Sequence, residues 1–399
     1  MKNKKLNLVI LAGGRGSRLG KITESTPKPM IKFGKIPFIK YLINYYCKFN
    51  FEKIYIIAGY KRYIITRYFK KIPIINSIPI EIIQEKKPLG TGGALSLLKT
   101  KKINNFFLVN GDTYFEPSKT QLTKMKNTNK IGAMLFVKNI NYKNNKILSN
   151  FIFRKNKIIE GKGNLMNSGV YFFKKKIFNM VKKKKSSLEN DLIINLIKFK
   201  KIDIIFNKKR QFFLDIGTNK NYKFAKKNIF NHLVRPAFFF DRDGVVNELK
   251  PYISDMHNFK LRKNLIQTLK FLLKNNYYLF IITNQAGIAK GYFTEKKYLE
   301  FEKKIKVFLQ KNNVYFHDVK YCPYHPKAIK LKYKKITKYR KPGNLMISDI
   351  KKQWPINFSK SFFIGDQKTD EKAARSINLK FQYAKDDILS QVKGLIKNN

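Results

Sequence analysis

Leu8-Val9-Ile10-Leu11-Ala12-Gly13-Gly14-Arg15-Gly16-Ser17-Arg18-Leu19 decides how the first half of the chain folds. A short apolar run that breaks into glycines reads as a buried strand turning into a helix. At such a turn Gly13, Gly14 and Gly16 let backbone N–H groups approach a phosphate closely, with a helix N-terminus behind them. Arg18 and the Lys28 of Thr26-Pro27-Lys28-Pro29-Met30 add positive charge suited to a triphosphate. The loop is not of the Gly-Lys-Ser/Thr type, because that triplet is missing at the required spacing.

The same pattern starts again at Ala237–Phe240, which runs straight into Asp241. Between and beyond these starts, short β-rich runs alternate with longer helical patterns. Strands are predicted at Leu8–Leu11, Ile54–Ala58, Phe106–Val109, Ala133–Val137, Val170–Phe173, Ala237–Phe240, Tyr278–Ile282 and Ser361–Ile364. That alternation implies α/β architecture with parallel sheets and crossover helices, here as two doubly wound domains. At 399 residues, 43% of them hydrophobic, the chain has enough for two cores. The polar, basic segment 225–236 ends in Pro236, so the division is expected near residue 234, giving domains 1–233 and 234–399. Lys182–Lys185 and Asn141–Lys146 read as loops, the former solvated.

Composition narrows the function classes. There is no apolar run of the ~18 residues a membrane span needs. The basic start followed by Leu8–Ala12 leads to a glycine loop and not to a cleavage site, so a buried strand is expected there instead of a signal peptide. Cys47 and Cys322 would fall in different domains and form no disulfide framework, which suits the cytoplasm. The formal charge of +59 would favour nucleic acid or other polyanions. Yet the lysines are spread along the chain, and arginine, the usual residue for forked recognition of bases and phosphates, is scarce. Enrichment in Lys, Asn, Ile, Phe and Tyr together is what AT-biased codons give. A polyanion-binding protein with decayed catalytic domains is the alternative from another class.

Two acidic constellations carry the chemistry. Phe106–Val109 ends in Asn110-Gly111-Asp112, and an acid just past a strand's C-terminal end sits where α/β sheets bind ligands. Leu214-Asp215-Ile216-Gly217-Thr218 offers a second carboxylate, and the two could hold one Mg²⁺ against phosphate oxygens. In Phe240-Asp241-Arg242-Asp243-Gly244, Asp241 can attack phosphorus while Asp243 protonates the leaving oxygen and then activates water. Thr283 and Asn284 follow the next strand, Lys341 brings a fixed charge, and Asp366 with Asp370 adds acid for Mg²⁺.

The first ~225 residues resemble the sugar-phosphate nucleotidyltransferases, nearest the D-glycero-α-D-manno-heptose 1-phosphate guanylyltransferases. LAGGRGSRLG, TPKPM, EKKPLGTGGA, NGDTYF, NSGVY, SLENDL and FLDIGT carry the likeness in the family's order. The resemblance implies a Rossmann-like domain that joins GTP, or another nucleoside triphosphate, to a sugar 1-phosphate. It implies that Asp112 and Asp215 bind Mg²⁺ and that Arg18 and Lys28 contact phosphates. Gly13, Gly14, Gly16, Glu85, Gly90, Thr91, Gly92, Asn110 and Asn167 would bind substrate, as would Lys162 on a looser motif match. Residues ~237–395 resemble the haloacid dehalogenase (HAD) superfamily, nearest the heptose 1,7-bisphosphate 7-phosphatases, with histidinol-phosphate phosphatase a sibling. FDRDGVVN, TNQAGIAKGYFT, YCPYHP, RKPG and IGDQKTDEKAA carry that likeness. It implies a HAD-like phosphatase domain with Asp241 as nucleophile, Asp243 as acid and base, and Thr283 and Lys341 as phosphate clamps. Asp241, Asp366 and the Asp243 carbonyl would hold Mg²⁺, with Asn284 and Arg340 near substrate.

One departure stands out. Where this family often carries a four-ligand zinc loop, the chain keeps Cys322 but has Tyr324 and Ile336–Tyr339 at the other ligand positions, so zinc is not expected. The paired resemblances imply phosphorylated heptose as the shared substrate and a surface polysaccharide as the destination, while the composition points away from membrane insertion and nucleic-acid binding.

Overall fold

The computed structural model describes residues 6–76, 78–101, 103–138, 149–154, 157–163, 165–206 and 211–397. Contacts divide the chain into two compact units. One holds Met1–Tyr45, Phe51–Ile74 and Ile78–His232; the other holds Tyr46–Asn50, Ile75–Ser77 and Leu233–Asn399.

The first unit is built on an eight-stranded sheet. Its strands are β1 (Asn7–Ala12), β2 (Ile54–Ala58), β3 (Ile74–Ile75), β4 (Ile78–Gln84), β5 (Phe106–Asn110), β6 (Gly132–Lys138), β7 (Leu165–Phe173) and β8 (Ile202–Phe206). They lie in the order β8-β6-β7-β5-β1-β2-β4-β3. Strand β1 runs parallel to β2 and β5, with Leu11 opposite both Ile57 and Asn110. The glycine loop and Asp112 therefore leave the sheet side by side. The sheet is not wholly parallel, as the strand–helix alternation predicts, because β7 runs antiparallel to both β5 and β6. Val9 and Leu11 pack with Leu95, Leu98 and Leu108 in a core on one face of this sheet.

In the second unit β9 (Ala237–Phe240), β10 (Tyr278–Asn284), β11 (Asp318–Cys322), β12 (Phe362–Gly365) and β13 (Lys380–Tyr383) form a parallel sheet in the order β11-β10-β9-β12-β13. Alternation along β9 explains the winding. Phe238 and Phe240 enter a core with Leu265, Leu269, Phe301 and Ile305 from helices on one face. Ala237 and Phe239 meet Met346, Ile350 and Ala374 from helices on the other. Each face hides large apolar side chains worth roughly 1.5–3 kcal/mol apiece.

The segment 225–236 is not the polar connector its composition implies. A helix, Asn219–Leu233, runs through it, because Ala225, Ile229 and Leu233 recur at helical spacing and are buried. Asn141–Lys146 lies outside the described residues. No helix among the described residues is long and apolar enough to cross a membrane.

Candidate active sites

In the first unit the loop after β1 opens a cavity of about 830 Å³ lined by Gly13, Gly14, Arg18, Lys28, Glu85, Gly90, Thr91, Asn110 and Asp112. The Lys28 ammonium donates to an Asp112 carboxylate oxygen at 2.8 Å. Strand Phe213–Asp215 pairs with Thr113–Phe115 so that Asp215 stands opposite Thr113, next to Asp112. Asp215 accepts from the Gly217 N–H at 2.6 Å and the Asn221 amide at 3.0 Å. Burial, and then the neighbouring Asp112 charge, push its carboxyl above the ordinary range. Two carboxylates crowded in this way beside phosphate-sized space suit a divalent cation.

Not every expected residue faces this cavity. Gly16 takes a left-handed turn (φ 71°), and its carbonyl accepts from the Leu19 N–H and the Thr23 hydroxyl, both at 3.0 Å. Gly92 is a glycine for packing reasons, since a Cβ there would come within 2.9 Å of the Ser187 backbone. Asn167 accepts from the Gly169 N–H at 3.0 Å and donates to the Tyr171 hydroxyl. Lys162 lies on the strand Lys157–Gly163, and its side chain is outside the described residues. Conversely Lys185, from the run expected to be merely solvated, lines the cavity.

Glu189 is the residue the sequence reading missed. Its carboxylate lines the same cavity and accepts from the Tyr171 hydroxyl at 3.2 Å, the Thr91 hydroxyl at 3.3 Å and the Asn110 amide at 3.4 Å. The available signal was its place in the SLENDL motif.

In the second unit Phe240 lies opposite Ile281 and Ile364, which brings the ends of three strands together at Asp241. The Lys341 ammonium bridges Asp241 at 2.7 Å and Asp370 at 2.6 Å, and also donates to the Ile282 carbonyl at 3.0 Å. Burial pulls its pKa down, but the two carboxylates outweigh that and hold it above the ordinary lysine value. Asp241 is pushed up to about 7, chiefly by burial, with Lys341 pulling against it and Asp370 adding to it. Asp241, Asp366 and Asp370 bring ligand oxygens within 4.8 Å of one another. An Asp366 carboxylate oxygen is buried without a hydrogen-bond partner, which fits a donor set made for a cation. Gly244 (φ 87°) leaves the room that Asp366 fills. Asp243 contributes no side-chain oxygen to this trio; Asp370 does.

Asp243 is held elsewhere. It accepts from the Arg242 guanidinium on both oxygens at 3.1 Å, from Asn247 at 3.1 Å and from Gln285 at 3.0 Å. Arg242 is in turn paired with Glu302 at 3.0 Å, both of them buried. Gln285 also donates to the Thr283 hydroxyl at 2.9 Å. Asn284 is committed to the Lys341 backbone, donating to its carbonyl and accepting from its N–H, both at 3.1 Å. Arg340, the residue before Lys341, donates to the Tyr324 carbonyl at 3.3 Å.

The Arg242–Glu302 pair sets up a stability test. Removing Glu302 costs buried Arg242 one charged hydrogen bond while Asp243 remains its ion partner, a loss of ~1.5–3 kcal/mol. Glu302→Ala should lower the urea midpoint for loss of phosphatase activity accordingly, while nucleotidyl transfer at the same urea concentration is unaffected. A shift corresponding to less than ~1 kcal/mol would mean that Asp243 and Gln285 already satisfy Arg242 without Glu302.

Comparison with known proteins finds a different family in each half of the chain. A nucleotidyl transferase family model matches residues 7–146, and a polynucleotide kinase 3 phosphatase model matches residues 237–388. The chain is 34% identical over 227 residues to the D-glycero-alpha-D-manno-heptose 1-phosphate guanylyltransferase of Campylobacter jejuni, covering 54% of this chain and 97% of the relative. It is 34% identical over 163 residues to the D-glycero-beta-D-manno-heptose-1,7-bisphosphate 7-phosphatase of Rhodopseudomonas palustris, covering 41% of this chain and 91% of the relative. Among solved structures, HddC from Yersinia pseudotuberculosis is similar at 31% identity and a TM-score of 0.46, over 56% of this chain and 99% of that one. The chain thus joins two enzyme families in tandem: it belongs to the heptose 1-phosphate guanylyltransferases through its N-terminal part and to the heptose bisphosphate 7-phosphatases through its C-terminal part.

Proposed function

We propose that this enzyme removes the 7-phosphate of D-glycero-D-manno-heptose 1,7-bisphosphate and then transfers GMP from GTP to the resulting heptose 1-phosphate. The observation that carries the reading is the pairing itself: one chain holds two sites, and the product of one chemistry is the acceptor of the other. We assign both reactions to the cytoplasm, where GTP is made.

In the phosphatase reaction an Asp241 oxygen attacks the 7-phosphorus, and the sugar oxygen leaves with a proton from Asp243. A water, deprotonated by Asp243, then cleaves the aspartyl phosphate to release inorganic phosphate and regenerate Asp241. Thr283 and Lys341 hold the phosphoryl oxygens. Mg²⁺, with Asp241 and Asp366 as its holders and Asp370 alongside, would supply charge neutralisation there. In the transferase reaction an oxygen of heptose 1-phosphate attacks the α-phosphorus of GTP and pyrophosphate departs, with no protein nucleophile. Arg18 and Lys28 neutralise phosphates, Asp112 and Asp215 suit Mg²⁺, and alignment of the two substrates lowers the barrier.

The test is a coupled reaction with Mg²⁺, GTP and heptose 1,7-bisphosphate of each anomer, following phosphate, pyrophosphate and GDP-heptose by mass. The relatives' names specify the β anomer for the phosphatase and the α anomer for the transferase. Both steps in one chain require a shared anomer, so one anomer should pass through to GDP-heptose. Phosphate release from either anomer with no GDP-heptose would overturn the reading.

The raised Asp241 pKa sets a pH dependence. Below about 7 the carboxyl keeps its proton, and a cation must displace it. The Mg²⁺ concentration for half-maximal phosphatase activity should therefore fall by about tenfold per pH unit as pH rises toward 7 and level off above it. A flat profile through that range would show that Asp241 is already ionised there.

A further inference from the structure

The three most exposed large hydrophobic residues among those described are Ile329, Leu331 and Ile336, at 77%, 80% and 88% exposure. They are neighbours on one loop, whereas the core-forming apolar residues of both units lie inside. Between Pro326 and Tyr339 that loop carries six lysines, all exposed, and no acidic residue. The uniform lysine enrichment of the chain accounts for the charge but not for aliphatic side chains standing free in water among it.

The loop is not loose chain. Ala328 and Tyr333 are buried in a cluster with Ile288, Ala289, Phe293 and Tyr298. The Tyr333 hydroxyl donates to Glu295 at 2.8 Å, and the Ile329 and Lys330 N–H groups donate to the Ala289 carbonyl at 3.1 and 3.2 Å. The segment is anchored by its inward residues and presents the outward ones.

We propose that residues 327–338 form a docking loop for an anionic lipid surface, with Ile329, Leu331 and Ile336 entering the headgroup boundary and the lysines resting on acidic headgroups. Interleaved aliphatic and basic side chains are what such an interface selects: hydrocarbon contact supplies part of the binding and charge the rest. Nucleic acid fits less well. The loop offers no arginine and no exposed aromatic side chain for stacking, and aliphatic side chains gain nothing beside phosphates. A second copy of the chain would bring the same positive loop against itself. The association needs no membrane span.

The test is vesicle sedimentation of the full-length enzyme at near-physiological salt, with phosphatidylcholine alone or with about a third phosphatidylglycerol. Wild type should sediment with the anionic vesicles only. The triple variant Ile329→Ser, Leu331→Ser, Ile336→Ser keeps every charge and should bind them at least about tenfold more weakly, its thermal midpoint and nucleotidyl transfer unchanged. Changing Lys330, Lys332 and Lys335 to Gln should also weaken binding, about fivefold per lysine. Equal binding by wild type and the serine variant would overturn the proposal, because the general +59 charge would then suffice. So would tighter binding to duplex DNA than to anionic vesicles, lost in the same variants.

Discussion

Given heptose 1,7-bisphosphate, GTP and Mg²⁺, the Asp241→Asn enzyme should release no 7-phosphate and form no GDP-heptose. Given heptose 1-phosphate instead, it should form GDP-heptose at the wild-type rate. The expected fall in phosphate release is roughly 10⁴-fold or more, because an amide oxygen cannot form the covalent phosphoryl link. Electrostatics argues against unfolding as a rival explanation. Asp241 is buried, and its carboxyl is pushed up to about 7, so above that pH its charge opposes folding in the absence of metal. Lys341 keeps Asp370 as a partner at 2.6 Å when Asp241 becomes neutral. The metal-free variant should therefore be at least as stable as wild type at pH 8, measured by urea unfolding. Residual phosphate release within ~10-fold of wild type would move the nucleophile elsewhere.

Much of this was legible in the chain because the decisive residues sit on strand ends. Ala237–Phe240 reads as a buried strand, and Asp241 follows it without a gap; register with β10 and β12 then delivers Thr283 and Asp366 to the same edge. Likewise Leu11 opposite Asn110 places the glycine loop beside Asp112. What was not legible depends on partners distant in sequence. Glu189 meets Thr91 and Asn110 across separations of 98 and 79 residues, contacts that its place in the SLENDL motif does not by itself disclose. Arg242 sits inside a recognisable motif, but its burial depends on Glu302, sixty residues on, in the helix Glu295–Lys311. Gly92 carries a constraint of the same distant kind. Glycine near a phosphate loop suggests ligand approach, and here the Ser187 backbone also approaches it closely. Strand β4 was missed because IPIEIIQ carries a proline at its second position and ends its alternation in the doubled Ile82-Ile83, while pairing with β2 is enough to order it.

The complementary variant, Asp112→Asn, should uncouple the reaction at the other end. From heptose 1,7-bisphosphate it should release phosphate at the wild-type rate and accumulate heptose 1-phosphate, with GDP-heptose formation down about 10³-fold. The magnitude follows from charge: losing a metal-holding carboxylate forfeits several kcal/mol of transition-state stabilisation, at ~1.4 kcal/mol per decade. The substitution is nearly isosteric, and the amide oxygen can still accept from the Lys28 ammonium that Asp112 now binds at 2.8 Å. It also removes the charge that helps push Asp215 up, so Asp215 should ionise more readily in the variant. Raising Mg²⁺ should then recover part of the transfer rate if Asp215 alone can retain a cation, whereas Asp112→Lys, which places a cation in the site permanently, should not respond to Mg²⁺. A variant that transfers GMP normally at low Mg²⁺ would show that Asp112 serves Lys28 and not the metal. Because the phosphatase step runs unchanged in this protein and the transferase step runs unchanged in Asp241→Asn, mixing the two variants should restore GDP-heptose formation from the bisphosphate, limited only by how fast free heptose 1-phosphate builds up.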